Sequence, residues 1–190
     1  MERPKSVLSE LVEVGVLALA LYLAISFAVQ NVHVIGTSMV PTLEDGDYLI
    51  ATKLEYRFGS PERGDIIIMR DPYDPSKDFI KRVIALPEER LLIRDGTVFI
   101  DGRRLEEPYL PTSPAWTNNA NWPGSGAPAA LIPANSYFVM GDNRNVSSDS
   151  RSFSWVGREK IEARAHLRIW PPNTARLVDS RPRLEAASSS

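Results

Sequence analysis

The sequence predicts a mainly β fold, an antiparallel sheet or barrel-like domain, carried behind one N-terminal transmembrane helix. Three observations predict it. Residues 11 to 29, LVEVGVLALALYLAISFAV, form a long apolar run. After it the pattern changes to short apolar stretches separated by turn dipeptides, with no sustained helical period until residues 157 to 163. Asp-Gly pairs at 45–46, 95–96 and 101–102 punctuate those stretches as hairpin turns do.

As a helix the apolar run spans about 28 Å, close to the hydrocarbon thickness of a bilayer. The favoured reading is a retained anchor. A cleaved secretory signal, with Ser26-Phe27-Ala28 as its small-x-small site, and a buried helix of a soluble fold are the alternatives. Arg3 and Lys5 precede the run, whereas the first basic residue after it is Lys53, so positive-inside bias puts the N-terminus in the cytoplasm. The expected organisation is a cytoplasmic start (1–10), an anchor (11–30), an extracytoplasmic β-rich domain (31–171) and a polar, mobile tail (172–190) with no second span.

Strands are expected in YLIATKL, DIIIMR, DFIKRVIAL, SYFVMG and ARAHLRIW, with LLIR and TVFI joined as a hairpin. Residues 107 to 134 are rich in Pro, Asn, Ser, Gly and Ala and too long for a simple hairpin loop, so they read as a surface excursion or lid. Trp116 and Trp122 within it serve best as anchors of the loop to its own domain.

Composition narrows the chemistry. A formal charge of −2 over 190 residues offers no basic surface for nucleic acid. With no cysteine and only His33 and His166, thiolate chemistry is excluded, a histidine-rich metal site is disfavoured and no cofactor is expected. Both histidines lie in strand-like apolar runs and read as structural.

Three segments carry candidate chemistry. Ser38 lies in a turn-like stretch between Gly36 and Pro41. Lys81 lies in a strand whose alternation groups Phe79, Lys81 and Val83 on one face and Ile80, Arg82 and Ile84 on the other. At a reference pKa of about 10.4, roughly one lysine in 2,500 is neutral at pH 7; burial that lowers the value by about 3 units costs about 4 kcal/mol and makes the free amine abundant. GDNRNVSSDSR (141–151) places Asp142, Asn143, Arg144, Ser147, Asp149 and Arg151 directly after an apolar strand, the density of a buried polar network. Taken singly, these are an ordinary turn serine, a snorkelling lysine and a polar loop.

Together, SMVPTL (38–43), RGDIIIM (63–69), KRVIALP (81–87) and GDNRNVSSDSR resemble the ordered motif blocks of the bacterial type I signal peptidases, and the likeness runs from about residue 11 to 170. The resemblance implies Ser38 as nucleophile, Lys81 as general base and Ser147 as the hydroxyl that orients the lysine. Asp142, Asp149 and Arg151 match residues that shape or brace the site, and Arg82 and Gly36 count as supporting. It further implies a β-rich domain on the outer membrane face, acting with the secretion machinery on preproteins cut after a small-x-small sequence. Met39, Ile80 and Ile35 are nominated for the specificity pockets.

Two departures stand out. Where the family often reads GLPGD, this chain has Ala85-Leu86-Pro87-Glu88-Glu89, and non-glycine residues avoid positive φ, so a locally different turn is expected. Gly36 occupies a position where some members carry an oxyanion-donating serine. A self-cleaving regulator is disfavoured by the N-terminal span, leaving a non-catalytic membrane-tethered binding module as the rival of another class.

Overall fold

The computed structural model describes residues 7–112, 120–178 and 180–186. A single long helix, α1 (Val7–Ala28), opens the fold and is long and apolar enough to cross a membrane. It starts a turn before the apolar run and ends at Ala28, where the strand β1 (Val29–His33) takes over without a linker. None of its residues is buried against the protein, which removes the reading as a soluble core helix.

Beyond α1 the described residues form antiparallel β-structure in two sheets, interrupted only by loops and short helical turns. The larger runs in the order β1, β2 (Tyr48–Thr52), β11 (Ile161–Trp170), β3 (Ile66–Arg70), β4 (Asp78–Ala85), β9 (Ser136–Met140), β10 (Val156–Gly157), with β12 (Arg176–Leu177) also paired to β11. The smaller runs β13 (Arg183–Leu184), β7 (Arg103–Glu106), β6 (Thr97–Ile100), β5 (Arg90–Arg94), β8 (Ala130–Leu131). Asp95 and Asp101 take the left-handed conformations that these tight turns require, each followed by a positive-φ glycine.

The unbroken apolar run in β3 follows from burial on both faces. Ile66 and Ile68 pack with Met39, Leu43, Leu49 and Ala163 on one side, while Ile67 and Met69 pack with Tyr56, Val83 and Val139 on the other. A third cluster, built from Ile84, Leu91, Val98, Trp122 and Phe138, fills the space between the sheets. Register then places the chemistry: Arg82 pairs with Met140, so Gly141 and the polar loop after it emerge beside Lys81.

Three regions differ from expectation. Over residues 172–178 and 180–186 the segment is not a loose polar end. Val178 is buried and its N–H donates to the His166 carbonyl, while Leu184 pairs with Leu105. Two-residue pairings leave no periodicity to read, which is why this stretch looks unstructured in sequence. Between 157 and 163 the chain forms a short 3-10 turn (Arg158–Lys160) leading into β11, not a regular helix. Glu88 adopts φ of +66°, so this glutamate takes a left-handed conformation that non-glycine residues ordinarily avoid.

The excursion from 107 to 134 is fastened at several points. Trp122 exchanges two backbone hydrogen bonds with Ile93 and packs on Phe138, and β8 pairs with β5. Trp116 lies outside the described residues.

Candidate active site

Ser38 sits on a folded loop between β1 and β2. Gly36 turns the chain with φ of +95°, a conformation glycine adopts without penalty, and its N–H donates to Asp45 Oδ1 at 2.7 Å. Met39 and Leu43 point into the core and are linked by the Leu43 N–H to Met39 carbonyl bond, at 2.9 Å. The loop is therefore clamped from beneath by apolar packing. From above, the Asn143 N–H donates to the Ser38 carbonyl at 3.0 Å and its Nδ2 to the Thr37 carbonyl at 3.1 Å.

Lys81 reaches this loop from β4. Its Nζ lies 3.0 Å from Ser38 Oγ and 3.0 Å from the Ile80 carbonyl oxygen, with the Phe79 ring 4.8 Å away. The side chain is 3% exposed. Burial outweighs the raising influence of Asp149, Asp71 and Asp142 and lowers its pKa from 10.5 to about 8. Neither hydrogen-bond partner is charged, so the ammonium has little compensation for the water it has lost.

Behind the lysine lies a dense polar network. Arg82 forms a bidentate pair with Asp142 (2.8 and 2.7 Å), both side chains fully buried, and donates to the carbonyls of Gly64 and Ser180. Thr42 donates to Asp142 at 2.5 Å, tying the serine loop to this pair. Asp149 accepts from the Gly141 N–H, caps the short helix α3 (Ser150–Phe153) and pairs with Arg151 through Nε and NH2. Both carboxylates thus hold the 141–151 loop in place, and that loop holds Ser38.

Ser147 forms no hydrogen bond to Lys81 in this structure. Its Oγ is buried without a hydrogen-bond partner, pressed against Gly141 so closely that a Cβ there would lie 2.2 Å from it and 2.4 Å from the Ser38 carbonyl. Gly141 is needed for that approach. The histidines stand elsewhere: His33 stacks on Tyr48, and His166 meets Thr52 and Glu55. Among the described residues no group of three His, Asp or Glu side chains is arranged to hold a metal.

Some partners of the network that lie outside the 141–151 block escaped sequence reading. Arg144 pairs with Glu107 from the long excursion and donates to the Gly141 carbonyl, while Tyr109 stacks on Arg82 at 3.8 Å. Arg144 was visible in the 141–151 block; Glu107 and Tyr109 are distant in sequence and carry no motif. Arg63 was legible only as part of the RGDIIIM block, yet it braces the Glu88 turn by donating to Glu89 and, at 2.5 Å, to the Ile84 carbonyl.

Ser38 and Lys81 share the wall of a cleft of about 750 Å3 that begins at Gln30, near the end of α1. Ile35, Met39 and Ile80 line it, as does Ile68, which sequence reading did not nominate. A hydroxyl held against a buried amine of lowered basicity, in an open and largely apolar groove, has the parts required for serine-based acyl transfer.

The comparisons with known proteins agree on one family. The model described as signal peptidase, peptidase S26, matches residues 8–170. The probable signal peptidase I-2 of Synechocystis sp. is 35% identical over 184 residues, spanning 93% of this chain and 80% of that protein. Signal peptidase I of Leptolyngbya laminosa is 39% identical over 155 residues (78% and 72%), and signal peptidase IB of Staphylococcus aureus 28% identical over 176 (88% and 91%). A crystal structure of a signal peptidase I from Enterococcus faecalis V583 aligns at 34% identity and a TM-score of 0.46, covering 55% of this chain and 96% of that one. This chain belongs to the signal peptidase S26 family and is a serine peptidase.

Proposed function

We propose that this protein is a membrane-bound endopeptidase that removes N-terminal signal peptides from exported preproteins, with Ser38 as nucleophile and Lys81 as general base. The observation that supports it most is the 3.0 Å separation of Lys81 Nζ from Ser38 Oγ, with the lysine buried and its pKa lowered to about 8. Neutral Lys81 takes the proton of Ser38, and the oxygen attacks the scissile carbonyl while backbone donors around Ser38 hold the developing charge. The ammonium so formed protonates the departing amine of the mature protein. Water activated by the same lysine then releases the signal peptide from the acyl-enzyme. Ser147, buried and without a partner, is the nearby hydroxyl suited to orient the amine as it changes protonation state.

The reading includes a topology: α1 crosses the membrane with its N-terminus in the cytoplasm, and the β domain lies outside. A cleft that starts near the end of α1 and runs to Ser38 suits a substrate whose own signal helix is in the same bilayer. Its apolar walls, lined by Ile35, Met39, Ile68 and Ile80, suit small apolar side chains at the cleavage site, cut after a small-x-small sequence. The preprotein would arrive from the secretion machinery.

The test is cleavage of a purified preprotein in detergent by wild type, Ser38→Ala and Lys81→Ala. Loss of turnover in both variants with intact thermal unfolding is expected. Turnover retained by either variant would overturn the dyad.

A further inference from the structure

The end of α1 carries no basic residue in its last turn, and the next one in the chain is Lys53. The fold reverses that separation. Because β1 pairs with β2 in the register Val29 to Thr52, Lys53 returns to the helix end and its N–H donates to the Ala28 carbonyl at 3.0 Å. The short helix α2 (Glu55–Phe58) follows at once. From it Arg57 lays its guanidinium over the Phe27 ring of α1, 4.3 Å from the centroid, and Phe58 stands 89% exposed.

Lys53 and Arg57 line a concavity of about 380 Å3 with Tyr56, Arg70, Ile161 and Glu162. Glu162 is engaged by Arg70 at 2.7 Å, and Glu55 by Arg164 and His166. Among the described residues Lys53 and Arg57 are therefore paired with no carboxylate. Two such cations, fixed to the last turn of an apolar span beside an exposed phenylalanine, sit at the depth where phosphodiesters of a leaflet lie.

From these contacts we infer that the concavity formed by Lys53, Arg57 and Arg70 is a docking site for the headgroup of an anionic phospholipid in the leaflet facing the β domain. The lysine supplies a point charge, the arginine over Phe27 a planar fork, and Phe58 enters the acyl boundary. Held this way, the domain is fixed in its rotation about α1, with the cleft that starts at Gln30 kept facing the bilayer.

This inference rests on the proposed membrane crossing of α1. The test uses the full chain, wild type and Lys53→Gln/Arg57→Gln, by native mass spectrometry from mixed micelles with phosphatidylglycerol or phosphatidylcholine. Retention of phosphatidylglycerol is expected to fall about fivefold per cation removed, with phosphatidylcholine unaffected. Arg57→Lys, which keeps the charge, should retain most of the preference; its loss there to the level of the double variant would overturn a headgroup role. Hydrogen exchange in nanodiscs separates the two readings. If α1 is protected yet the double variant keeps the wild-type lipid preference, the docking site is wrong. If α1 exchanges freely in either bilayer, the membrane crossing falls with it.

Discussion

Lys81 and Arg82 are consecutive residues of one strand, both cations and both buried, and their surroundings could hardly differ more. Arg82 faces a fully buried carboxylate in bidentate contact and two backbone carbonyls, and its pKa is raised as those charges outweigh its desolvation. Lys81 faces a hydroxyl and a carbonyl, with Asp142 and Asp149 committed to other cations, and its pKa falls to about 8 as burial outweighs the carboxylates around it. Strand alternation makes this possible. One face of β4 receives a structural ion pair that locks the polar loop, and the other a destabilised amine that can take a proton.

The comparison can be broken at either residue. The largest effect expected is catalytic: Lys81→Met should lower kcat/KM for a preprotein by at least about 10^3-fold, because the remaining site has no base for Ser38. In wild type, kcat/KM should climb about tenfold per pH unit up to about 8 and then level, since only the neutral amine works. A profile flat from pH 5 to 9 would rule out a lysine of this basicity as the base.

On the other face, Asp142→Asn should cost about 3–5 kcal/mol in urea unfolding, because it strands a buried guanidinium. Replacing both partners, Arg82→Met with Asp142→Leu, should recover much of that loss. An Asp142→Asn protein as stable as wild type would show that the pair is not what holds the loop.

Third in size is an opposite sign at the neighbouring residue. Lys81→Met should stabilise the fold by about 2–3 kcal/mol at pH 7, since the folded-state pKa of about 8 lies below the unfolded 10.5. The unfolded chain binds more protons between those values, so wild-type stability rises with pH there. The advantage of the variant is full below pH 8 and disappears by about pH 10.5. Denaturation midpoints that stay equally far apart across that range would contradict desolvation of the Lys81 ammonium as the source of the difference.

The smallest effect concerns the turn beyond β4. Glu88→Gly should raise stability by about 0.5–1 kcal/mol, as glycine relieves a left-handed penalty of roughly 1–2 kcal/mol and returns part of it as chain entropy. Arg63, Glu89 and the paired backbones of Glu88, Glu89 and Ile132 already hold the turn, so its shape should not change.

Much of the site was legible in the sequence. Ser38, Lys81 and the 141–151 block carry chemistry in residue type and local order, and the strand pattern around Lys81 put Arg82 on the opposite face. What could not be read were partners without a motif. Glu107 and Tyr109 enter from an excursion whose composition says only loop, and Ser180 contributes a backbone carbonyl, which no sequence distinguishes. The strands β12 and β13 were missed for a related reason, since pairings of two residues are decided by what lies opposite and not by their own sequence.

By itself the sequence determined the apolar helix, the antiparallel β class, the family and the residues proposed as nucleophile and base, because hydrophobic period, turn chemistry and side-chain type are local properties. Only the tertiary structure decided that Lys81 is buried beside neutral partners and Arg82 beside a charged one, and that Lys53 returns to the end of α1. Those outcomes depend on register and on contacts across the sheet. The basicity of an amine follows from what surrounds it, and the surroundings exist only once the chain has folded.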